Sequence, residues 1–412
     1  MSWPTAESVS RTAGDGRRDT NAAAVLTAVL DHGPIARSGI ARLSGLSPAA
    51  VSRQYLGLAR RGLVRERPDL AVSGGVGRPQ VPVDIDTEGP LVGGIHIGVA
   101  YSTFCLLDLR GGVVARAQAH HTGLTSAAAL GPALRRLPAF LAERAAGRPV
   151  LGLGAVIGGW VDPVEGTVVR HVPLDMHQLP LRALLSRALG LPVHVDNHAR
   201  AIAQFEILFG RPAARRSVVH LFIGNVVDAA VGIAGVVHHG PRSAAGDIAH
   251  LPVATRGERC SCGRVGCLQA VASDAALAER AVAAGVIPEP EATLLVDAAA
   301  AGDRRADRLL RDRARLVGRA AALLTDVLNP DVVLVTELSS ILNPEYREVM
   351  GAELAERSHI CDDPARLAGP HAGPAVLPVA GGTPALSWLY RSPLQVPTTT
   401  IRTDEPSVLD AC

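Results

Sequence analysis

The chain has 412 residues, of which 48% are hydrophobic and only 3% are aromatic, and its net charge is +2. This length allows two or three domains with a sizeable core, and the composition is typical of a globular α/β protein. The chain contains no lysine, so every fixed positive charge of a side chain is an arginine. A net charge near zero does not indicate whether the protein binds nucleic acid, because binding depends on how the charges are distributed along the chain. The most apolar run, 217–237, is interrupted by His220, Asn225 and Asp228, which excludes a membrane span and predicts two core strands around a loop.

The two ends of the chain and its cysteines indicate a cytoplasmic protein. Residues 1–20 are polar, without the apolar segment of a signal peptide, and we expect them to be disordered. Residues 396–412 form a polar tail that we expect to be mobile. Six cysteines, three of them clustered, fit a reducing compartment with one metal site.

Residues 21–86 predict a winged helix-turn-helix domain. A first helix ends at Gly33, a second is stopped by Gly45, and Ser47-Pro48 supplies an N-cap and a first-turn proline for a third. The short glycine-containing turn between the second and third helices is the helix-turn-helix arrangement. The segments LVRERPDL and QVPVDID can pair as the hairpin of the wing, joined by the glycine-rich AVSGGVGRP.

An excess of arginine marks this domain as a candidate surface for duplex DNA. Residues 21–80 contain only three acidic residues but eight arginines: Arg37, Arg42, Arg53, Arg60, Arg61, Arg65, Arg67 and Arg78. The candidate DNA contacts lie at the start of the third helix and in the glycine-rich segment: Ser47, Ala49, Ala50, Ser52, Arg53, Gln54 and Arg78. Arg53 could read guanine and Gln54 adenine, or each could contact phosphate, and Arg78 could enter a minor groove. The alternatives are solvated helix faces for the arginines and a plain linker around Arg78.

The pattern from residue 88 to residue 395 changes to strands that alternate with helices. Three β segments begin near Leu91, and a helical stretch over 126–146 and the apolar strand VLGLGAVIGG follow. A strand-rich start followed by alternating helices and strands is repeated from His220 onward. This alternation is typical of an α/β unit.

Four side chains that can bind a metal ion fall within the segment 250–267: His250, Cys260, Cys262 and Cys267. Thiolates and a neutral imidazole suit a tetrahedral zinc ion, and Gly263 and Gly266 let the backbone turn so that all four ligands converge. Four protein ligands leave no open position, so we expect a structural zinc and not a catalytic one. The alternatives are buried thiols or a disulfide, and nothing that marks a secreted chain favours the disulfide.

The same stretch resembles the signature of the ROK family, which comprises sugar kinases, transcriptional repressors and related open reading frames. GDIAH at 246–250 and CSCGRVGCLQ at 260–269 are similar to the family's GEIGH and CxCGxxGCLE. The resemblance implies a two-lobed actin/hexokinase-like α/β fold over 88–395, preceded by the α+β winged domain. It further implies that the lobes meet near 196–201 and that a C-terminal helix near 384–390 returns to the first lobe. The GRP sequence around Arg78 resembles an element of ROK regulators.

The elements that a ROK kinase needs for phosphoryl transfer are altered in this sequence. The family's GIDIGGT is GIHIGVA at 94–100, and its GTGIGAG is GNVVDAA at 224–230, where Asp228 places a negative charge in the phosphate loop. His198 stands at the position of the catalytic aspartate, and the late glycine pair of the adenosine element is Thr336-Glu337. Although a histidine can act as a base, the combined losses predict a catalytically inactive domain that is ill suited to ATP.

The resemblance also implies a sugar pocket formed by five residues: Asn197, His198, Asp247, His250 and Gln269. Two of the family's carboxylates are replaced by His198 and Gln269 and a third is shortened to Asp247, but all five side chains can still hydrogen-bond hydroxyl groups. Zinc on one ring nitrogen of His250 would orient the other nitrogen toward the ligand. The alternative is a vestigial cleft whose polar groups pair with one another.

The sequence therefore predicts a cytoplasmic transcriptional regulator of the ROK type, acting as a repressor. We expect a homodimer or homotetramer that binds operator DNA and releases it in response to a sugar or related metabolite. One alternative is a sugar kinase with an appended DNA-binding head. The other is a DNA-binding or scaffolding protein that responds to no ligand.

Overall fold

The computed structural model describes residues 13–71, 80–121 and 123–396. These residues build a head of three helices and a hairpin, followed by two lobes that each contain a five-stranded sheet. The predicted DNA contact Arg78 and the tail from residue 397 onward lie outside these ranges. Within them, no helix has the length and apolar character needed to span a membrane.

The head contains five elements: α1 (Ala13–His32), α2 (Arg37–Ser44), α3 (Pro48–Ala59), β1 (Val64–Glu66) and β2 (Val83–Ile85). As predicted, α2 ends at Gly45, which has a φ of 67°, and the Ser47 hydroxyl caps α3 by accepting the Ala50 amide. β1 and β2 pair antiparallel, as predicted for the wing. The expectation of disorder is wrong for residues 13–20, which belong to α1, because tertiary contacts of Asp19 extend that helix.

The first lobe follows as β3 (Leu91–Ile97), β4 (Tyr101–Leu107), β5 (Val113–His120), α4 (Gly131–Ala145), β6 (Val150–Ile157), β7 (Trp160–Asp162), β8 (Thr167–His171), β9 (Met176–Leu179), α5 (Leu181–Leu189), β10 (Val193–Asn197) and α6 (His198–Phe209). Its main sheet has the order β10-β6-β3-β4-β5, with β6 parallel to both β3 and β10. β7, β8 and β9 form a separate antiparallel sheet. The parallel pairing places the end of β10, and hence the start of α6, beside the end of β6.

The second lobe contains α7 (Pro212–Arg216), β11 (Ser217–Ile223), β12 (Val227–Ile233), β13 (Val236–Val237), α8 (Leu268–Ala272), α9 (Asp274–Ala283), α10 (Ala292–Ala300), α11 (Arg304–Leu328), β14 (Val332–Glu337), α12 (Leu338–Leu342), α13 (Pro344–Arg357) and β15 (Leu367–Ala368), and α14 (Val376–Arg391) follows it. Its sheet has the order β13-β12-β11-β14-β15. Short 3-10 turns lie at Pro68–Leu70, Ser126–Leu130, Pro241–Ser243, Pro364–Arg366, Gly373–Ala375 and Pro393–Gln395. The two strands predicted within 217–237 are therefore β11 and β12, and the structure adds the short β13 at the end of this segment.

The last helix, α14, returns to the first lobe as predicted and contacts β3, β4 and β6. The close approach depends on glycines on both sides of the contact. A Cβ at Gly94 of β3 would overlap the backbone of Gly381 and Gly382, and a Cβ at Gly154 of β6 would overlap the Gly381 carbonyl. α14 therefore packs directly against the backbone of β3 and β6.

The opposite side of α14 holds the head. Leu26 of α1 and Leu58 of α3 belong to the same hydrophobic cluster as Leu386 and Tyr390 of α14. Because buried apolar surface stabilises roughly in proportion to its area, this shared core attaches the head firmly to the first lobe.

The segment after α14 adds polar contacts to the head. The guanidinium of Arg61 donates to the carbonyl oxygens of Leu394 and Val396 at 2.8 and 3.2 Å. The carboxylate of Asp19 accepts the Leu394 amide at 3.2 Å and the Gln395 side-chain amide at 2.7 Å. Val396 is buried, so the mobile tail expected from residue 396 cannot begin before residue 397.

Candidate functional site

The four predicted metal ligands converge in one loop of the second lobe. The ligand atoms of His250, Cys260, Cys262 and Cys267 all lie within 4.8 Å of one another. The Sγ of Cys260 is 3.4 Å from Nδ1 of His250, and the Sγ atoms of Cys262 and Cys267 are 3.6 Å apart. All the described cysteines are free thiols, so the predicted alternative of a disulfide does not describe this cluster. Three thiols and one imidazole at these distances could hold a metal ion, and the set fits tetrahedral zinc.

Two glycines let the chain turn between these ligands. Gly263 and Gly266 both adopt left-handed backbone, with φ of 87° and 79°. A Cβ at Gly266 would overlap the carbonyl oxygen of Ala254, whereas a Cβ at Gly263 would meet nothing within 4 Å. The Gly263 amide donates to the Cys260 carbonyl at 2.8 Å, which closes the turn. The loop is therefore built by its own backbone as well as by the ligands.

An arginine beside the cluster favours the thiolate form that a metal requires. The Nε of Arg264 lies 3.5 Å from the Sγ of Cys262 and lowers the pKa of that thiol to about 6. Burial and the neighbouring thiols raise the pKa of Cys267 to about 11. A divalent cation would provide the charge that lets both thiols ionise together.

Of the five residues implied as sugar ligands, Asn197, His198 and Gln269 have their polar atoms engaged within the protein. Asn197 caps α6 through Oδ1, and its Nδ2 donates to the Gly159 carbonyl at 2.8 Å. Gln269 accepts the Val227 amide at 2.9 Å and donates to the Asn225 carbonyl at 2.8 Å. Asn197 and His198 are buried, at 4% and 3% exposure.

The remaining two residues of this set are more accessible. Asp247 is exposed and accepts the Ala249 amide at 3.2 Å. His250 is half-buried, with Nδ1 directed at the metal cluster. The structure therefore brings Asn197 and His198 together and places His250 in the cluster, while Asp247 remains at the surface.

A buried aspartate of the second lobe contacts the start of α6 in the first. Oδ2 of Asp228 lies 3.0 Å from Nε2 of His198, and it accepts the Gly159 amide at 2.8 Å and the Asn197 side-chain amide at 3.0 Å. Burial alone would raise the pKa of Asp228, but the contacts with His198, Gly159 and Asn197 outweigh it and hold the pKa below its ordinary value. Asp228 is therefore a buried carboxylate that joins the two lobes.

Histidine and aromatic rings fill the space around this contact. The His198 ring stacks on Phe222 with 3.7 Å between centroids, and Nδ1 of His198 is 3.4 Å from Nε2 of His96. Burial, followed by the neighbouring histidines, lowers the pKa of His96 to about 3. Burial likewise lowers the pKa of His220 to about 3, although its ring bonds to Ala199 and Thr336. The rings of His96 and His220 are therefore neutral at physiological pH.

A second buried ion network lies below the loop at 224–230. Arg313 of α11, only 1% exposed, is 2.9 Å from Glu337 and 2.7 Å from Asp274. Its guanidinium also donates to the Ala272 and Ile223 carbonyls. Burial acts to lower the pKa of Arg313, but Glu337 and Asp274 raise it above its ordinary value. Glu337, one of the two residues at the family's glycine pair, is thus a buried carboxylate.

Arg313 is not among the residues predicted from the sequence to form the site. A signal was present, because Arg313 is three residues from Leu310 and four from Val317, so helical periodicity places it on the buried face of α11. The partners that neutralise it belong to other elements and carry no motif.

The candidate DNA contacts at the start of α3 are not equally accessible. Ser47, Ala49 and Arg53 are exposed, and Ala50 and Ser52 are half-buried. The prediction that Gln54 contacts DNA is wrong, because its side chain is only 5% exposed and helical geometry turns it toward the core of the head. A buried amide cannot reach a base edge.

The arginines of the head also divide into two groups. Four of them make contacts within the protein, as in the pairs Arg65–Glu88 and Arg67–Asp69: Arg37, Arg61, Arg65 and Arg67. Arg78 lies outside the described residues. In the described part of the chain, Arg42, Arg53 and Arg60 are exposed and take part in no ion pair. These three charges are the ones available to a partner.

Comparison with known proteins identifies the family. The ROK family model matches residues 92–353. A Mycobacterium tuberculosis protein named a transcriptional regulator is 36% identical over 391 residues, which cover 91% of this chain and 87% of that protein. The xylose repressor of Caldicellulosiruptor bescii is 27% identical over 83% of this chain and 89% of its own length.

Solved structures agree with this result. A ROK family transcriptional regulator, described as a homologue of the E. coli Mlc protein, matches with a TM-score of 0.75 at 25% identity, over 92% of this chain and 98% of its own. A Streptomyces griseus ROK glucokinase with glucose and AMPPNP has a TM-score of 0.62 at 23% identity, over 71% of this chain and 98% of its own, and shows the shared fold alone. The two-lobed α/β fold implied by the signature at 246–269 is confirmed, and the chain belongs to the ROK family.

Proposed function

We propose that this chain is a DNA-binding transcriptional repressor whose affinity for its operator is controlled by a small molecule. The observation that carries the proposal is its 36% identity, over 91% of the chain, to a protein named a transcriptional regulator. The head at 21–86 would bind DNA, and the domain at 88–395 would bind the effector and form a homodimer or homotetramer. The protein would act in the cytoplasm, where the clustered thiols stay reduced.

The head supports the DNA-binding part of the proposal. α3 is preceded by the short turn of a helix-turn-helix, and Arg53 is exposed at its N-terminal part, the part that such helices present to base edges. Ser47, Ala49, Ala50 and Ser52 would lie beside it in the interface. Arg42 and Arg60 offer further unpaired charges for phosphates, and Arg78 would extend the contact from the wing.

The residues of the cleft support the proposal that this domain is not an enzyme. A kinase base must stand free to accept a proton from the substrate hydroxyl, but His198 is buried between Phe222 and Asp228. Asp228 and the buried Glu337 place negative charge at positions where the family's kinases have phosphate-loop and adenosine-site glycines. The second candidate, a sugar kinase with a DNA-binding head, is favoured only by the shared fold of the glucokinase.

The effector is proposed to be a sugar or a related metabolite held by Asn197, His198, Asp247, His250 and Gln269. The name of the xylose repressor supports this class of ligand. Because Asn197, His198 and Gln269 already bond within the protein, the ligand would have to exchange these bonds for its own hydroxyl groups. A structural zinc ion on His250 and the three cysteines would brace the loop that carries His250 and Gln269.

Selection of genomic fragments by the purified protein, followed by gel-shift titration, tests the proposal. We expect one or a few near-palindromic sites with at least a thousandfold preference over unrelated DNA. Loss of that preference on addition of one sugar in a broad panel would identify the effector. Absence of any DNA binding at moderate salt, together with ATP consumption in the presence of sugars, would overturn the proposal in favour of the kinase. Binding to DNA that no metabolite alters would favour a ligand-independent protein.

A further inference from the structure

A cavity of about 610 Å³ lies between the first lobe and α14. It is bounded by the turn after β7, the start of α5, β10, α6, the loop around Ser243 and one face of α14. This volume is typical of small-molecule sites, which range from about 300 to 1,000 Å³. None of the five residues implied as sugar ligands lines it, although Asp196 and Arg200, which flank Asn197 and His198 in the chain, do. The cavity therefore lies beside the pocket that the family resemblance implies and has a different lining.

Three of the arginines that line the cavity have no carboxylate partner within the described residues: Arg182, Arg242 and Arg391. The Nε of Arg391 donates to the Ser387 carbonyl at 3.2 Å, which leaves the two terminal nitrogens without an acceptor in the described chain. The Arg242 guanidinium lies 5.4 Å from the centre of the Trp160 ring. Arg182 donates to the carbonyl oxygens of the turn after β7. Guanidinium groups of this kind bind carboxylate and phosphate groups through paired hydrogen bonds.

The acidic residues of the cavity are largely occupied elsewhere. Asp196 pairs with the fourth arginine, Arg200, at 2.7 Å. Asp162 accepts the amides of Val164 and Glu165 within its own turn. Asp162 and the exposed Glu165 keep their negative charges, so the lining holds four arginines against three carboxylates, a net charge of +1. The available charge in the cavity is therefore positive.

Two histidines and a tryptophan supply the rest of a binding surface. The rings of His194 and Trp388 stack with their centroids 4.6 Å apart. Burial, followed by the charges of Arg182 and Arg391, lowers the pKa of His194 to about 4, so its ring is neutral at pH 7. Nε2 of His194 and Nδ1 of His239 are buried and have no hydrogen-bond partner in the described chain. Buried polar atoms are normally bonded, so these two indicate a polar ligand or solvent.

The cavity is connected to the head by α14 itself. Ser387, Trp388 and Arg391 face the cavity, while Leu386 and Tyr390 on the same turns of the helix belong to the core shared with the head. The segment that bonds to the head begins at Leu394, three residues after Arg391. A ligand that displaces α14 would therefore displace the support of the helix-turn-helix elements.

We propose that this cavity binds a small anionic metabolite, whose carboxylate or phosphate group contacts Arg182, Arg242 and Arg391, and that α14 transmits its binding to the head. The proposed binding site depends only on the cavity and its charges, and not on the proposed function. The transmission to the head rests on the proposed DNA-binding function.

Isothermal titration calorimetry of the full-length protein tests the site with glucose 6-phosphate, gluconate, citrate and inorganic phosphate, and with glucose as the neutral counterpart. We expect at least one anion to bind at least tenfold more tightly than glucose. A preference for glucose 6-phosphate over gluconate would assign a phosphate, and the reverse a carboxylate. Binding of glucose equal to that of every anion, or no binding of any anion at millimolar concentration, would overturn the site.

Two variants locate the binding. Arg391→Gln should weaken binding of the anion at least tenfold, which is the effect of removing one charge-assisted hydrogen bond. If Arg391→Gln perturbs folding, Arg242→Gln provides an alternative test, because the Arg242 side chain is exposed. It should also weaken binding of the anion. Arg187→Gln, exposed on α5 but outside the cavity, is the matched control and should bind like the wild type. Equal affinity of all three variants and the wild type would contradict the proposal.

A gel shift in the presence and absence of the bound anion tests the transmission. We expect operator affinity to change at least fivefold, the lower range of allosteric coupling. The Arg391→Gln variant should bind operator normally but lose this response. An anion that binds without changing operator affinity would overturn the transmission and leave the site intact. DNA binding by a protein that binds no anion would overturn the site and leave the proposed function intact.

Discussion

Nε2 of His198 and Oδ2 of Asp228 are 3.0 Å apart in the buried contact between the two lobes. His198 begins α6 of the first lobe, and Asp228 lies on β12 of the second. The family resemblance implies that these are the positions of the catalytic base and of the second phosphate loop in the kinases. The contact joins these two positions from one lobe to the other.

We expect Asp228→Asn to lower the free energy of unfolding by about 3 kcal/mol at pH 7, since it removes one partner of a buried pair. The folded protein holds the pKa of Asp228 below its ordinary value of 3.8. The stabilisation is therefore complete above pH 3.8 and is lost as pH falls through the lower, folded pKa. Urea unfolding from pH 7 to pH 3 should show the two proteins converging at the acid end.

The control for this prediction is Asp247→Asn, because Asp247 is exposed and accepts one backbone amide. It should change stability by about 0.5 kcal/mol or less. Equal stability of Asp228→Asn and the wild type at pH 7 would show that the contact with His198 contributes nothing.

Cys262→Ser should lower the zinc content and the melting temperature of the purified protein, because it removes one of four clustered candidate ligands. Elemental analysis of the purified variant should give less than half of the wild-type metal content. Cys361→Ser changes a cysteine outside the cluster and should retain full stoichiometry. Unchanged zinc in Cys262→Ser would remove this residue from the metal site.

Gly266→Ala should reduce zinc content and stability although it retains all four ligands. The added Cβ would overlap the Ala254 carbonyl, at a position whose φ is 79°. We expect a loss of about 2 kcal/mol or more, because backbone strain and a steric clash combine. Urea unfolding and metal analysis of the same preparation measure both effects.

Gly263→Ala provides the matched comparison, with a φ of 87° and open space around the added Cβ. Only the cost of left-handed backbone remains, about 1 kcal/mol. If the two variants were equally stable, the close approach of Gly266 to Ala254 would not determine the shape of the loop.

Arg53→Ala should weaken operator binding by about 1–3 kcal/mol without changing the melting temperature. A base contact predicts relaxed specificity at one position, whereas a phosphate contact predicts a uniform loss and a salt dependence reduced by about one ion. Gel-shift titration at several salt concentrations distinguishes the two. Arg136→Ala, exposed on α4 and remote from the head, is the control, and a loss equal to that of Arg53→Ala would point to a general charge effect.

The elements that could be predicted from the sequence are those that depend on neighbouring residues. The N-cap at Ser47, the helix end at Gly45 and the wing hairpin follow from local backbone preferences. The convergence of the metal ligands between His250 and Cys267 could be predicted for the same reason, since Gly263 and Gly266 permit the local turns that bring the ligands together.

What the sequence by itself determined is thus the family, the α/β class of the fold and the composition of the candidate metal cluster. Only the tertiary structure decided that Gln54 is buried, that His198 meets Asp228, and that Arg182 and Arg391 line one cavity. Arg182 and Arg391 are separated by more than two hundred residues, and no local pattern relates them. The direction of a polar side chain, toward a ligand or toward another residue, depends on which distant elements pack against it, and hydrophobic burial across the whole chain decides that packing.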